Sequence, residues 1–297
     1  MRVKTTPRTP KAPLRRKKRK SRLTASPLWT LVHQGRRVFH ALLKTLRSAP
    51  PIVRVVVIPS LFFLFWLGIN WAYHTFHKPT EVLFPLDRSL NKTPIQTWRE
   101  YEPLFREHAT STITPEFLAA LAQVEGGGNP VARTYWRWEW GWNPLEWYQP
   151  ASSAVGMYQI TDGTFREAAQ YCIHDHVVVE DGPWHEWGTC WFNRFYTRVL
   201  PSHAIELTAA LLDRRVTQAL ESKQRHNASL EQKQNLAAVI HLCGFGVGQA
   251  YTAHRFRLPP HQQCGTHNVR DYLGQVNSLK YEFSKPAAGD KTLRRSH

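Results

Sequence analysis

One stretch of the sequence places a carboxylate at the end of an apolar helix. Residues 114–116 (TPE) predict a helix start, because a hydroxyl cap is followed by Pro in the first turn and by an acid near the positive helix end. The helix continues as FLAALAQVE and stops at the GGGNP of residues 126–130. Apolar residues recur at positions 118, 121 and 122, so Glu125 falls on the same buried face.

This position favours a protonated Glu125. Burial and the negative end of the helix dipole both disfavour a charged carboxylate. A carboxylic acid that keeps its proton near neutral pH can protonate a glycosidic oxygen. The alternative is a helix-terminal glutamate that turns to solvent and takes no part in chemistry.

Five segments, in this order, resemble the Slt-type lytic transglycosylases, whose fold is similar to that of goose-type lysozyme. They are WREYEPLFREHA, TPEFLAALAQVEGGGNP, SSAVGMYQITDGTF, NLAAVIHLCGFGVG and VRDYLGQV, within about residues 96 to 280. The positions that match the family motifs are Glu125 (the catalytic acid), Asn129 and Pro130 (its Asn-Pro), residues 156–159 (its Gly-Leu-Met-Gln), Thr164, Gly244 and Tyr272.

The resemblance implies a mainly α, lysozyme-like (goose-type, SLT) catalytic domain. It implies cleavage of the β-1,4 bond between N-acetylmuramic acid and N-acetylglucosamine in peptidoglycan, with a 1,6-anhydro product. Glu125 is expected to act first as acid and then as base. No metal or cofactor is expected. The residues expected to bind substrate around Glu125 are Ser152, Ser153, Gly156, Met157, Tyr158, Gln159, Thr164, His241 and Tyr272.

The sequence departs from the family pattern at two places. Gly126 stands where the family has a Ser after the acid, so that hydroxyl must come from elsewhere, with Ser152 and Ser153 as candidates. His241 and Leu242 stand where the family has Tyr-Asn. His241 either faces the cleft and hydrogen-bonds the sugar or is a buried structural histidine.

A tryptophan-rich insertion occupies residues 131–151. The period-2 spacing of the tryptophans from 136 to 142 predicts that they share one side of an extended segment. Flat aromatic faces stack on sugar rings, so Trp136 and Trp138 are candidate glycan contacts. The alternatives are a flap that packs on itself and an aromatic belt at a membrane interface.

Two other functions are compatible with the same residues. A hydrolytic muramidase would share almost every residue but needs a second carboxylate, for which Glu139, Glu146 and Asp162 are candidates. A non-catalytic peptidoglycan-binding scaffold of an envelope-spanning complex would keep the groove without turnover, and its partner is not named by any motif.

The four cysteines permit three pairings. We favour Cys172 with Cys190 and Cys243 with Cys264, because each bridge closes a short local loop that would stabilise the fold by about 3 kcal/mol. Zinc is the rival, but the sequence has no CxxC spacing.

Charge and hydropathy divide the chain. The net charge is +17, yet residues 1–54 hold 16 Lys and Arg and no acid, while the rest holds 23 basic and 22 acidic residues. A globular nucleic-acid binder is therefore disfavoured. Residues 1–54 are expected to be a cytoplasmic tail, disordered at first and then, over 28–46, a basic helix that lies on the membrane or binds a partner.

Residues 55–73 are uncharged and are expected to cross a membrane as a signal anchor. The basic residues before the span predict a cytoplasmic N-terminus and a periplasmic domain at the bacterial inner membrane. Residues 74–94 are expected to be a linker, 95–285 the catalytic domain and 286–297 a tail. The helices predicted in the domain are 96–109, 114–125, 163–171, 190–199, 203–221, 231–243 and 268–279.

Overall fold

The computed structural model describes residues 44–45, 47–86, 88–186 and 189–285. The predicted basic helix at 28–46 falls almost wholly outside these residues, and the predicted tail at 286–297 does so completely. The chain divides into two compact units, one up to Trp66 and one from Leu67 onwards. Among the described residues the structure is mainly helical, as the sequence predicted.

Helix α1, Pro51–His77, is long and apolar enough to cross a membrane, with a mean hydropathy of 2.3 over its most apolar window. It begins before the predicted span and continues one turn beyond it. Pro59 lies inside the helix, near its start. The segment that follows is not extended, since Pro79–Leu86 and Arg88–Leu90 form 3-10 helices.

The second unit contains seven further α-helices and three two-stranded antiparallel sheets among its described residues. The helices are α2 Pro94–Glu107, α3 Pro115–Gly126, α4 Asp162–Ala168, α5 Pro201–Ser222, α6 Leu230–Cys243, α7 Phe245–Ala253 and α8 Val269–Ser284. The strands pair as β1 Trp136–Trp138 with β2 Tyr148–Pro150, β3 Tyr171–His174 with β4 Val177–Glu180, and β5 Gln263–Cys264 with β6 His267–Asn268.

Helix α3 is the centre of the core. Its residues 117–122 are between 0% and 1% exposed, and helices α2 and α8 both pack against it. Its start is fixed by the Thr114 hydroxyl, which accepts a hydrogen bond from the Phe117 amide. The predicted helix is therefore confirmed, together with its cap.

Two disulfides join Cys172 to Cys190 and Cys243 to Cys264, which confirms the favoured pairing. The first ties strand β3 to the 3-10 helix Cys190–Phe195, and the second ties the end of α6 to strand β5. Both loops are short, with sequence separations of 18 and 21 residues.

The largest differences from the predicted elements lie where tertiary pairing overrides local propensity. The helix predicted over 163–171 ends at Ala168, because Tyr171–His174 pairs with Val177–Glu180. The helix predicted over 190–199 is only the short 3-10 turn Cys190–Phe195. Helix α7 was not predicted, since Gly244 before it and Gly246 and Gly248 within it weaken the helical pattern.

A buried histidine makes the stability of this fold sensitive to acid. His108 is 7% exposed, and its ring lies 3.1 Å from the Ser202 hydroxyl. Burial lowers the pKa of His108 below 6.5, although the Glu206 carboxylate, 4.0 Å from Nδ1, opposes that shift. The unfolded chain therefore takes up this proton at a higher pH than the folded protein does.

We expect the free energy of unfolding to fall as the pH drops below 6.5, because protonating His108 is less favourable in the folded state. The His108→Gln variant should show a flatter pH dependence between pH 7.5 and 5, in denaturant unfolding followed by circular dichroism. His185→Gln, at an exposed position, is the control and should follow the wild type. Parallel curves for His108→Gln and the wild type would contradict the assignment.

Candidate active site

Glu125 lies in the last turn of α3, where the helix emerges from the core. Its side chain is 16% exposed. The hydroxyl of Tyr272, in the first turn of α8, donates a hydrogen bond to Glu125 Oε1. Burial, followed by the neighbouring carboxylate and this hydrogen bond, raises the pKa of Tyr272 well above its usual value. Tyr272 therefore keeps its proton at neutral pH and can donate this hydrogen bond.

A histidine lies on the other side of the same oxygen. His241, in the last turn of α6, places Nε2 3.7 Å from Glu125 Oε1, and its side chain is 11% exposed. His241 therefore combines the two alternatives: its side chain is largely buried, and it also lies beside the Glu125 carboxyl group. It also lines a small cavity of about 10 Å³ with Thr164 and the apolar side chains of α5.

An open cleft of about 590 Å³ begins at Glu125. It has walls from the end of α3, the loop before β1, the end of α6, the β5–β6 turn and the start of α8. Its lining residues are Val124, Glu125, Arg133, Thr134, Tyr135, Gln159, Leu242, Thr266, His267, Asn268, Asp271, Tyr272 and Gln275. The predicted residues Gln159 and Tyr272 are among them.

The Gly156–Gln159 segment forms a tight turn beside the cleft. The Gln159 amide donates to the Gly156 carbonyl over 3.1 Å, and Gln159 itself has φ of 47°. Gly156 has φ of 84°, and a Cβ added there would lie 2.3 Å from the Arg198 carbonyl oxygen. Glycine is therefore required at this position for both its conformation and its close contact.

Two residues of this turn lie under the cleft. Met157 and Tyr158 were expected to bind substrate, but both are 0% exposed, and the Tyr158 hydroxyl donates to the Leu118 carbonyl oxygen over 3.2 Å. The expectation fails for these two side chains because they fill the core below the turn. Gln159 alone projects from this segment into the cleft.

The remaining hydroxyls of the predicted site hold local turns. Ser152 Oγ accepts from the Ala154 amide, and Ser153 Oγ accepts from the Asp162 amide at the start of α4. The Thr164 hydroxyl lies 2.9 Å from that of Thr161. None of the three serine and threonine residues proposed as substrate contacts is among the cleft lining given above.

Asn129 anchors the loop that follows α3. It is 0% exposed, donates to Asn91 Oδ1 over 2.9 Å and accepts from the Val131 amide over 2.9 Å. This Asn therefore fixes the course of the chain between Glu125 and the cleft wall at Arg133.

The tryptophan-rich insertion forms a hairpin of strands β1 and β2 that packs on itself. Tyr148 contacts the rings of both Trp136 and Trp138, with centroids 5.1 and 4.9 Å away. Trp136 Nε1 donates to Glu81 Oε2 over 3.0 Å. The structure places Trp136 and Trp138 outside the cleft lining, whereas Tyr135, which precedes them, is part of it.

The carboxylates considered for a second catalytic role are engaged elsewhere. Glu139 pairs with Arg137 over 2.7 Å, Asp162 pairs with Arg198 over 2.6 Å, and Glu146 accepts from Asn143 over 2.9 Å. None of them lines the cleft described above. The acidic residue that accompanies Glu125 in the lining is Asp271, which the sequence reasoning missed.

Two features of the sequence indicate the cleft wall that contains Asp271, which was not predicted. Asn268 caps α8 by accepting from the amides of Arg270 and Asp271. An Asn before an acid two to three residues later is a recognisable helix start. The Cys243–Cys264 bridge brings residues 263–268 to the end of α6, next to Leu242. The pairing of Cys243 with Cys264 therefore predicts by itself that residues 263–268 face the end of α6.

A scan of protein-family models, a search of curated proteins and a search of solved structures each gave no match to this chain.

The glycine at position 126, directly after Glu125, has a steric reason. A Cβ on Gly126 would lie 2.8 Å from Met157 Cα and 2.9 Å from the Met157 carbonyl oxygen. Both are backbone atoms, so neither can yield without moving the turn. Helix α3 and the turn at 156–159 consequently approach more closely than any residue with a side chain would permit.

We expect Gly126→Ser to destabilise the protein by about 1–3 kcal/mol, because an inserted atom overpacks this contact. The measurement is the midpoint of thermal or denaturant unfolding. Gly246→Ser is the matched control: Gly246 lies in helix α7 and has nothing within 4 Å of an added Cβ. Equal effects at the two positions would show that the close approach does not constrain residue 126.

Proposed function

We propose that this protein is a membrane-anchored peptidoglycan lytic transglycosylase with a lysozyme-like catalytic domain. One observation carries the proposal: Glu125, the residue matched to the catalytic acid, ends a buried helix in an open cleft and is hydrogen-bonded by Tyr272, the residue matched to the family's late tyrosine. Peptidoglycan glycan strands are the proposed substrate.

The reaction needs one group that gives and then takes a proton. Glu125 donates its proton to the glycosidic oxygen as the bond to the muramyl anomeric carbon breaks, so the N-acetylglucosamine leaves as an alcohol. The muramyl 6-hydroxyl then attacks that same carbon, and its proton passes to the Glu125 carboxylate. A tethered nucleophile reacts through positioning alone, which is why no bound water is required.

Tyr272 suits the second half of this cycle. Once Glu125 has lost its proton, the Tyr272 hydroxyl donates to a full negative charge, and hydrogen bonds to charged groups contribute about 1.5–3 kcal/mol. The other carboxyl oxygen remains directed at the reacting sugar. Tyr272 is therefore assigned as the residue that positions and stabilises the Glu125 carboxylate.

Asp271 supports a second candidate, a hydrolytic muramidase. It lines the same cleft and is exposed to solvent. An inverting hydrolase uses a second carboxylate to activate water on the opposite face of the sugar. The two functions differ in product, since hydrolysis leaves a reducing end in place of the 1,6-anhydro ring.

The proposed topology follows from charge and hydropathy. Helix α1 is the candidate span. The first 54 residues include 16 Lys and Arg and no acidic residue, which favours a cytoplasmic N-terminus. The two disulfides require an oxidising compartment. We accordingly place the N-terminus in the cytoplasm and the domain in the periplasm of a bacterial inner membrane. A partner within an envelope-spanning complex is compatible with this arrangement.

Glu125→Gln should abolish cleavage of purified peptidoglycan, because the amide can neither donate nor accept the required proton. The measurement is mass spectrometry of the soluble products, in which only the wild type should release 1,6-anhydromuropeptides. Glu116→Gln, in the first turn of the same helix, is the matched control and should retain activity. Full activity of Glu125→Gln would contradict the assignment of Glu125 as the catalytic residue. If the wild type binds the sacculus but releases no product, the result would favour a non-catalytic scaffold.

Asp271→Asn separates the two reactions. A transglycosylase does not use this carboxylate as base, so anhydro products should persist at a similar rate. A muramidase should instead yield reducing-end products that disappear in this variant.

Tyr272→Phe should lower kcat by about 10-fold to 100-fold, which corresponds to losing a hydrogen bond of 1.5–3 kcal/mol to a charged group. The KM should change little, because the hydroxyl is turned to Glu125. Steady-state release of anhydromuropeptides provides the measurement. Tyr281→Phe, at an exposed position on the same helix, is the control. An unchanged kcat for Tyr272→Phe would remove Tyr272 from the mechanism.

A further inference from the structure

We propose that the hairpin formed by residues 135–150, here called the tryptophan hairpin, rests on the lipid surface at the periplasmic end of helix α1. Its partner is then the boundary between lipid headgroups and hydrocarbon, and not the glycan strand. The inference relies on the proposed membrane topology and is independent of the reaction in the cleft.

The hairpin is bound to the end of the helix through one carbonyl group. Asn70 Nδ2 donates to the Leu145 carbonyl oxygen over 2.7 Å, and His74 Nε2 donates to the same oxygen over 2.8 Å. Asn70 is 1% exposed and His74 is 8% exposed, although most side chains of helix α1 are exposed. Two polar groups of an apolar helix are thus covered by the tip of the hairpin.

Helix geometry sets the height of this contact. The uncharged residues 55–73 extend over about 28 Å at 1.5 Å per residue, close to the roughly 30 Å of a hydrocarbon core. Asn70 comes three residues before the end of that stretch and His74 one residue after it. The Leu145 carbonyl, which both side chains reach, therefore lies level with the boundary of the hydrocarbon.

A buried ionic cluster holds the hairpin in this position. Glu81, which is 0% exposed, pairs with Lys78 over 3.1 Å and with Arg133 over 2.6 Å, and it accepts from Trp136. Lys78 also donates to the carbonyl oxygens of Ser152 and Ala154. The segment after the helix and both ends of the hairpin are joined by these contacts, so the hairpin does not swing freely.

The hairpin directs an aromatic surface outwards at this height. Trp138 is 49% exposed, Trp140 is 76% exposed and Trp142 is fully exposed. Tryptophan is enriched where a protein meets the membrane interface, because its ring is apolar and its N–H is polar. Since Trp138 lies outside the cleft lining and the hairpin is level with the bilayer boundary, lipid is the occupant that fits this surface.

The test labels the full chain in vesicles of phosphatidylethanolamine and phosphatidylglycerol. The native cysteines are all in disulfides, so Trp142→Cys supplies one free thiol for an environment-sensitive fluorophore. Phe62→Cys, inside helix α1, reports whether the helix enters the bilayer. Tyr281→Cys, 66% exposed on α8, is the matched aromatic control outside the hairpin. Two nitroxide lipids, one with the quencher near the headgroup and one with the quencher deep in the acyl chain, are then added to separate samples.

We expect the probe at 142 to shift to shorter wavelength and to be quenched by the nitroxide lipids, as an interfacial group would be, while the probe at 281 stays in water. Quenching at 62 without quenching at 142 would overturn the inference and leave the membrane topology intact. Loss of quenching at 62 as well would overturn both. Protection of the probe at 142 by added glycan fragments, in the absence of lipid quenching, would assign the hairpin to substrate instead.

Discussion

Residues 117–122 of helix α3 are buried beneath helices α2 and α8 and the turn that carries Tyr158, and this burial determines where the site can be. A helix without an exposed face can present a polar group only at its ends. The first end carries the Thr114 cap and the partly exposed Glu116, and the second end carries Glu125, which lies in the cleft. The close contact between Gly126 and Met157 then fixes the distance from this helix to the turn that carries Gln159.

The residues that sequence reasoning placed correctly are those positioned by local rules. Helix α3, its cap and its terminal Glu125 follow from periodicity and capping, and the disulfide pairing follows from loop length. The residues it misplaced depend on packing over long distances. Met157 and Tyr158 lie within a turn, and only the folded core shows that both side chains point inwards. Asp271 entered the cleft because α8 packs on α3, a contact 146 positions apart that no local pattern contains.

Arg133 connects two parts of the domain that the sequence suggests are separate. It lines the cleft and also pairs with Glu81, which belongs to the segment that leaves helix α1. A buried ion pair contributes little net stability once the cost of desolvation is counted, but breaking it leaves an uncompensated charge. The cluster is therefore better understood as a structural element that fixes geometry, since it aligns the wall of the cleft with the segment that follows helix α1.

The packed connection after helix α1 limits how far the domain can travel. A flexible linker over residues 74–94 would have a root-mean-square end-to-end distance of about 25 Å, which is 5–6 Å times the square root of the number of residues. The cleft could then move over a distance of that order. Here the same residues are folded into helical turns and held by Lys78, Glu81 and Asn91. Under the proposed topology, the cleft is held at a fixed height above the bilayer. Under the proposed function, the glycan must come to the cleft, and only the innermost layer of the wall is within its reach.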